Sequence, residues 1–342
     1  VISVPLSFFG GIGEASRRGV LIKGSNYIEM LAKADTFVFD KTGTLTNAQP
    51  VLERVISFDA TRSEEEVLKI AACLEEHFPH SVARAIVKGA SDKNLSHEEE
   101  HADVQYIVAH GIATILHGER AIIGSKHFVS EDEGIVITPE QQAEINEKAG
   151  ACSVVYLAVG KQLTGALCIS DPPRAEAKEA VELLKAAGIQ NIVMLTGDSE
   201  RAAKVTAEKL GITTYCAQVL PEDKHSYVER LKAEGKRVIM VGDGINDAPA
   251  LAAANVSVAM SDASDIAQEA ADITLRGASL TELATLRALS ERLMQRINRN
   301  YRFIIAFNSA LLLSGLCGFL SPSASAFLHN ASTMMICAKS MT

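Results

Sequence analysis

The sequence predicts an α/β protein: a doubly wound parallel sheet, interrupted by an inserted α+β domain and followed by C-terminal transmembrane helices. Three observations predict it. Strand-like and helix-like runs alternate between residues 165 and 260, three strand-like runs end in Asp- and Gly-containing turns, and differently patterned sequence separates the first of these from the rest.

Residues 1–12 start with the apolar run VISVPLSFFGG, too short to span a bilayer, and Arg17, Arg18 and Lys23 follow. This pattern is expected of a helix leaving a membrane on its cytoplasmic side. The abrupt start suggests a piece of a longer membrane protein. TFVFDKTGTLT at 36–46 is a β-branched, apolar strand ending in Asp40, which small and polar residues present at a sheet edge. Residues 63–90 have helical spacing, opening on a Ser cap and an acidic first turn. Residues 104–124 alternate as strands, with a hairpin turn at His117-Gly118. The chain then returns near Gly165 with GALCIS. After it come a helix (DPPRAEAKEAVELLKAAG), a strand (NIVMLTGD), two helices (SERAAKVTAEKLG, VERLKAEG), a strand (KRVIMVGDGIND), a helix (APALAAA) and a strand (VSVAM). Residues 13–48 and 162–284 are assigned to the sheet domain and 49–161 to the insertion. Residues 285–300 are a cytoplasmic linker helix carrying arginines, and 301–342 two apolar stretches parted by Ser-Pro, expected as two transmembrane helices.

The 342 residues, 47% hydrophobic and 22% charged, are enough for more than one core. A net charge of -9 excludes a nucleic-acid surface, which needs a basic stripe. Six cysteines stand apart without a CxxC pair, which reads as reduced, buried thiols.

In such a sheet the carboxyl ends of the strands share one edge. Asp40, Thr196, Asp198, Asp243 and Asp247 can therefore converge, with Lys224 supplying an amine and Gly197 a close backbone approach. Carboxylates beside an amine and glycine-flanked amides suit Mg²⁺ and a phosphoryl group.

DKTGTLT, TGD and GDGINDAPAL, in that order and with a large insertion after the first, resemble the heavy-metal-transporting P-type ATPases, built on a haloacid-dehalogenase-like phosphorylation domain. The resemblance covers nearly the whole chain and implies ATP-driven export of a divalent metal ion, through an aspartyl-phosphate on Asp40. It implies Thr42 where hydrolytic relatives carry an acid, Thr196 and Lys224 on the transferred phosphoryl group, and Mg²⁺ held by Asp40, the Thr42 carbonyl and Asp243, with Asp247 close by. The insertion resembles a nucleotide-binding domain, with ATP contacts at Glu75, His80 and Gly111. The family's Pro falls on Ser81 and one of its glycines on Ala109; His77 competes for the role of His80. His329, in HNAST, falls where the family places transport ligands. Its nitrogen favours Zn²⁺ or Cd²⁺, with Co²⁺ next, over Cu⁺. The family's usual partners and location follow as expectations: ATP, the metal ion and membrane lipid, in a bacterial cell membrane with the catalytic domains cytoplasmic.

Plainer readings stand beside these. Asp40, Asp243 and Asp247 fit turns, Asp198 a helix cap, Lys224 an exposed lysine, and Glu75, His80 and Gly111 structural positions. His329 fits a hydrogen bond to a neighbouring helix. SHEEEH at 96–101 contains His-Glu-x-x-His but has no apolar helical face, so it reads as a solvated loop, and GGIGEAS at 10–16 reads as a flexible exit, not a dinucleotide loop. A membrane-tethered phosphatase of the same fold and a non-catalytic nucleotide-binding regulator are the alternative functions.

Overall fold

The computed structural model describes residues 3–341 other than 77–79, 96–104, 108–110, 117, 245–246, 262, 264 and 278. His77, Ala109, His117 and SHEEEH lie outside the described residues. The chain opens with α1 (Ser3–Arg17), β1 (Val20–Ile22), α2 (Ser25–Lys33) and β2 (Thr36–Asp40). It continues through β3 (Val51–Ser57), α3 (Glu64–Glu75), α4 (Ser81–Asp92), β4 (Gln105–Ile107), β5 (Gly111–Leu116), β6 (Glu119–Gly124), α5 (Pro139–Ala149), β7 (Ser153–Val159) and β8 (Gln162–Ser170). Then come α6 (Ala177–Ala186), β9 (Asn191–Leu195), α7 (Glu200–Leu210), β10 (Thr214–Cys216), α8 (Pro221–Ala233), β11 (Val238–Gly242), α9 (Ala248–Ala253), β12 (Val256–Ala259), α10 (Asp265–Ala270) and β13 (Ile273–Leu275), before α11 (Glu282–Leu316) and α12 (Pro322–Met341).

The first sheet has seven strands in the order β1-β13-β12-β11-β2-β9-β10, all parallel except β1 on the edge. Helices cover both faces, so β2 and β11 are buried at every position and read as unbroken apolar runs. Phe37 and Phe39 enter one core with Met194 and Val241, while Val38 enters the opposite core with Leu195, Val228 and Met240.

The second sheet, β3-β8-β7-β6-β5-β4, is antiparallel. Helices α3 and α4 cover one face; α5 and the turn at Phe128–Asp132 cover the other. Ser63 and Glu66 form a reciprocal cap on α3, as the sequence predicts, but the helical stretch breaks in two, and His80 caps α4. The hairpin between β5 and β6 is also where the sequence puts it, with Leu116 paired to Glu119. The return to the first sheet comes later than the sequence suggests. GALCIS lies in β8, a member of the second sheet, so the excursion spans 51–170 instead of 49–161. A continuous apolar strand suits either sheet, and only its pairing decides.

The two C-terminal helices depart from expectation. The linker and first apolar stretch form one continuous helix, α11, whose Leu283, Leu286, Leu293 and Ile297 join the core of the first sheet. No helix among the described residues is long and apolar enough to cross a membrane. On α11 the apolar run 303–316 is only 14 residues, about 21 Å of helix against a hydrocarbon core of about 30 Å. The 20 residues of α12 include His329, Asn330, Lys339 and five Ser or Thr. The 15 residues of α1 are too short and bury a stripe of small residues, Ser3, Ser7, Gly11 and Ala15, against their neighbours. GGIGEAS lies within that helix and is not a flexible exit.

Candidate active site

Parallel register assembles the site. Asp40 pairs with Leu195, placing Thr196 beside it, and Phe39 pairs with Val241, so Gly242 and Asp243 fall on its other flank. Residues 150 to 200 apart in sequence meet because β2 lies between β9 and β11. Helix α8 starts with Pro221 at its first turn, and that turn points Lys224 inward, where it is buried. Its Nζ donates to Asp40 Oδ1 in an ion pair with both side chains only 7% exposed. Burial pushes the Asp40 carboxyl above the usual carboxylate range, against the opposing pull of Lys224.

After Asp40 the chain makes a tight turn in which Gly43 has φ 72°. A Cβ there would lie 2.5 Å from Asp243 Oδ2, so glycine serves both the backbone conformation and the close approach. Asp247 is buried; its Oδ1 accepts from the Gly244 N–H at 2.7 Å, while Oδ2 has no partner. Burial, then the charges of Asp40 and Asp243, push its carboxyl up to about 7.

That oxygen is a hard donor suited to a cation. Among the described residues no three His, Cys, Asp or Glu side chains form a metal cage. Asp40, Asp243 and Asp247 stand close enough to act on one another, and carbonyl, phosphoryl or water oxygens would complete the shell of a hard cation there, which is how Mg²⁺ is usually held.

Thr196 is buried, and its Oγ1 accepts from the Asp198 N–H at 3.1 Å. Asp198 is not the helix cap, which is Ser199; it takes an ion pair from Lys41 and, at 3.3 Å, a hydrogen bond from Ser153 Oγ on the second sheet. Gly197 and Asp198 line a cavity of about 760 Å³ shared with Lys126, Gln142, Tyr156 and Arg201. Thr42 is exposed at the site's mouth.

The nucleotide candidates lie elsewhere. Buried Glu75 stands 3.0 Å from His80 Nε2, and His80 Nδ1 accepts from the Ala83 N–H at 3.1 Å. Ser81 occupies the first helical position, where proline is equally at home. Gly111 sits under Phe128, whose Cδ1 would lie 2.5 Å from an added Cβ. None of these three lines the cavity beside Asp198. His329 is farther still, on α12, with Nδ1 2.9 Å from Asn308 Oδ1.

Sequence reasoning missed Lys41, Asp171 and Arg174. Thr46 Oγ1 donates to Asp171 Oδ2 at 2.6 Å, and Thr46 pairs with Pro173, so the outgoing and returning strands of the excursion are joined there. Arg174 Nε donates to the Thr44 carbonyl at 2.8 Å and Nη2 to the Gly43 carbonyl at 3.1 Å. Its guanidinium fixes the turn that follows Asp40. The only sequence signal was the Pro-Pro pair beside it. Arg174→Ala is expected to lower the rate of chemistry at Asp40 by roughly 10- to 100-fold, the value of one or two charge-assisted hydrogen bonds. The KM should stay within about threefold, since a positioning loss falls on kcat. Arg174→Lys should recover little, because an ammonium cannot span both carbonyls. An equal loss with lysine and alanine in KM alone would disprove the positioning role.

Comparison with known proteins converges on one group. Residues 34–255 match the family described as haloacid dehalogenase-like hydrolase. The chain is 40% identical over 341 residues to a zinc-exporting P-type ATPase of Mycobacterium marinum, covering 99% of this chain and 46% of that protein. It is 38% identical over 340 residues to a manganese-exporting P-type ATPase of Mycobacterium bovis, covering 99% and 47%. The chain thus spans about half the length of the curated relatives it matches. Among solved structures, a zinc-transporting PIB-type ATPase in the E2.Pi state superposes with a TM-score of 0.77 at 32% identity, covering 99% of this chain and 55% of that one.

Proposed function

The chain belongs to the haloacid dehalogenase-like hydrolases, among the heavy-metal P-type ATPases, and from that membership we propose that it is the catalytic half of an ATP-driven exporter of a divalent metal ion. The observation that carries the proposal is the Asp40–Lys224 pair at the tip of a central strand, flanked by Asp243 and Asp247.

In this reading an Asp40 carboxylate oxygen attacks the γ-phosphorus of ATP; the new O–P bond replaces the bond to the bridging oxygen, and ADP leaves. Lys224 holds the other carboxylate oxygen in place and offsets charge on the incoming phosphoryl group. Thr196, next to the Asp40 partner Leu195 in the ladder, supplies a hydroxyl to the same group. Asp243 and Asp247, with the Thr42 carbonyl and Asp40, are the groups that would hold Mg²⁺. When bound, the ion supplies charge neutralisation for the phosphoryl oxygens. Lys41 is buried and tied to Asp198 by an ion pair. Glu75, His80 and Gly111 remain the candidates for nucleotide contact in the second lobe, and Gly197 and Asp198 for the phosphate side of the cleft.

Cargo is a divalent cation, with zinc or cadmium ahead of cobalt, because His329 offers nitrogen where a copper site needs sulfur. Relatives exporting zinc and manganese support the divalent class. In a membrane-bound, lipid-contacting exporter both lobes would face the cytoplasm, where ATP is available.

The test is to incubate the chain with Mg²⁺ and γ-labelled ATP and quench in acid. An acid-stable, hydroxylamine-sensitive label is expected; a tethered phosphatase would give turnover without accumulated label, and a regulator neither. Thr42→Asp restores a carboxylate two residues beyond the nucleophile. It is expected to shorten the lifetime of the label by about 10²-fold through general acid–base help to water. An unchanged decay rate would mean that position 42 does not control hydrolysis.

A further inference from the structure

We infer that Cys152 and Cys168 form a two-coordinate site for a thiophilic d¹⁰ cation such as Cu⁺ or Ag⁺, within the second lobe and apart from the phosphoryl-transfer centre. Val154 and Cys168 are directly opposed in the β7–β8 ladder. Cys152 directly precedes β7, and its thiol acts electrostatically on that of Cys168. Both are buried, at 6% and 0% exposure, in the apolar cluster beneath α5. Both also line one cavity of about 260 Å³, with Glu53, Arg54 and Lys209 at its wall.

The spacing selects the chemistry. The ladder ends at the Ser153–Ile169 pair, one residue short of Cys152, which sets Cys152 diagonal to Cys168; diagonal Cα atoms stand about 7–8 Å apart, wide for a disulfide, which prefers about 4.4–6.8 Å. A sulfur–metal–sulfur bridge spans about 4.6 Å between sulfurs, twice a metal–thiolate bond of about 2.3 Å, and suits that separation. Among the described residues no third ligand completes a cage. This excludes the four-coordinate sites that Zn²⁺ and Cd²⁺ require and leaves cations content with two soft ligands. Binding replaces two S–H bonds with two S–metal bonds, and both protons leave to solvent through the cavity. The resulting anionic bis-thiolate is offset by Arg54 and Arg201, which act electrostatically on both sulfurs. Without the cation, burial holds both thiols protonated, with Cys168 pushed up to about 11, so neither reacts readily.

The site also touches the contact between the sheets. The Cys152 carbonyl accepts from Arg201 Nη2 of α7 at 2.8 Å, and the next residue, Ser153, donates to Asp198. A cation drawing the Cys152 sulfur toward β8 acts on that contact directly.

The experiment titrates the reduced full chain with Cu⁺ against a chromophoric Cu⁺ chelator. Wild type is expected to retain one equivalent more than Cys152→Ser, Cys168→Ser or the double Cys152→Ala/Cys168→Ala variant, and X-ray absorption should give that equivalent two sulfur neighbours and no others. Equal stoichiometry in all four proteins overturns the proposal, as does a disulfide between the two residues after mild oxidation. A second measurement needs no variant: wild type in mild denaturant is alkylated with and without Ag⁺. Protection of the Cys152 and Cys168 peptides is expected, and equal labelling overturns the site. None of these readouts depends on phosphorylation of Asp40.

Discussion

Asp40→Asn is expected to abolish the acid-stable label and lower ATP turnover by on the order of 10³-fold or more, because an amide oxygen cannot replace the attacking carboxylate. The same change should destabilise the fold. Lys224 is buried against Asp40 with both side chains 7% exposed, and breaking a buried ion pair by removing one partner costs about 3–5 kcal/mol. The two effects separate in Asp40→Asn/Lys224→Met, which removes the stranded ammonium. Its unfolding midpoint should recover toward wild type while the label stays absent. Label persisting at the wild-type level in Asp40→Asn would place the nucleophile elsewhere. A midpoint that falls no further in the single variant than in the double would mean that the pair is not a structural bond.

Asp247 gives the second large effect. Its carboxyl is pushed up to about 7 by burial and by Asp40 and Asp243. Between about pH 4, where the unfolded chain releases this proton, and pH 7, where the folded protein does, the native state holds one proton more than the unfolded state. The difference in bound protons, unfolded minus native, is therefore about −1, and stability falls as pH rises through that window, by at most about 1.4 kcal/mol per pH unit. Asp247→Asn mimics the protonated acid and keeps the oxygen that accepts from Gly244. In Mg²⁺-free buffer it should flatten the slope of the urea midpoint between pH 5 and 7 and be more stable than wild type above pH 7. Adding Mg²⁺ should stabilise wild type above pH 7 and leave Asp247→Asn nearly unchanged. An identical pH slope in both proteins would sink the assignment.

The strand tips were legible because each strand of a parallel sheet is an unbroken apolar run, and an Asp or Thr at its end stands out chemically. Asp40, Thr196 and Asp243 were found that way, and register then brought them together. Lys224 was read from its place in the sequence alone; the helix read from Val228 starts at Pro221, and its first turn is what buries the lysine. Partner choice was not. Lys41 is bonded to Asp40 in sequence yet pairs with Asp198, because the extended backbone at Asp40 and the turn after it send adjacent side chains to opposite sides. Arg174 was hidden because its partners are carbonyls, which carry no residue identity. Strand β8 went to the wrong sheet because a run buried on both faces has the same composition in either. The apolar character of α11 and α12 was plain, but its length was overestimated, since Asn308, His329 and Asn330 interrupt the runs.

The neck formed by Thr46, Asp171 and Pro173 has one more consequence. Some 120 residues hang from two adjacent backbone crossings, the nearer one six positions from Asp40. Torque on the pendant lobe is therefore delivered at the turn that follows Asp40, while anything grafted or deleted at the lobe's far end leaves that pivot untouched. Swapping in a different pendant should alter what triggers the chemistry and not the chemistry itself.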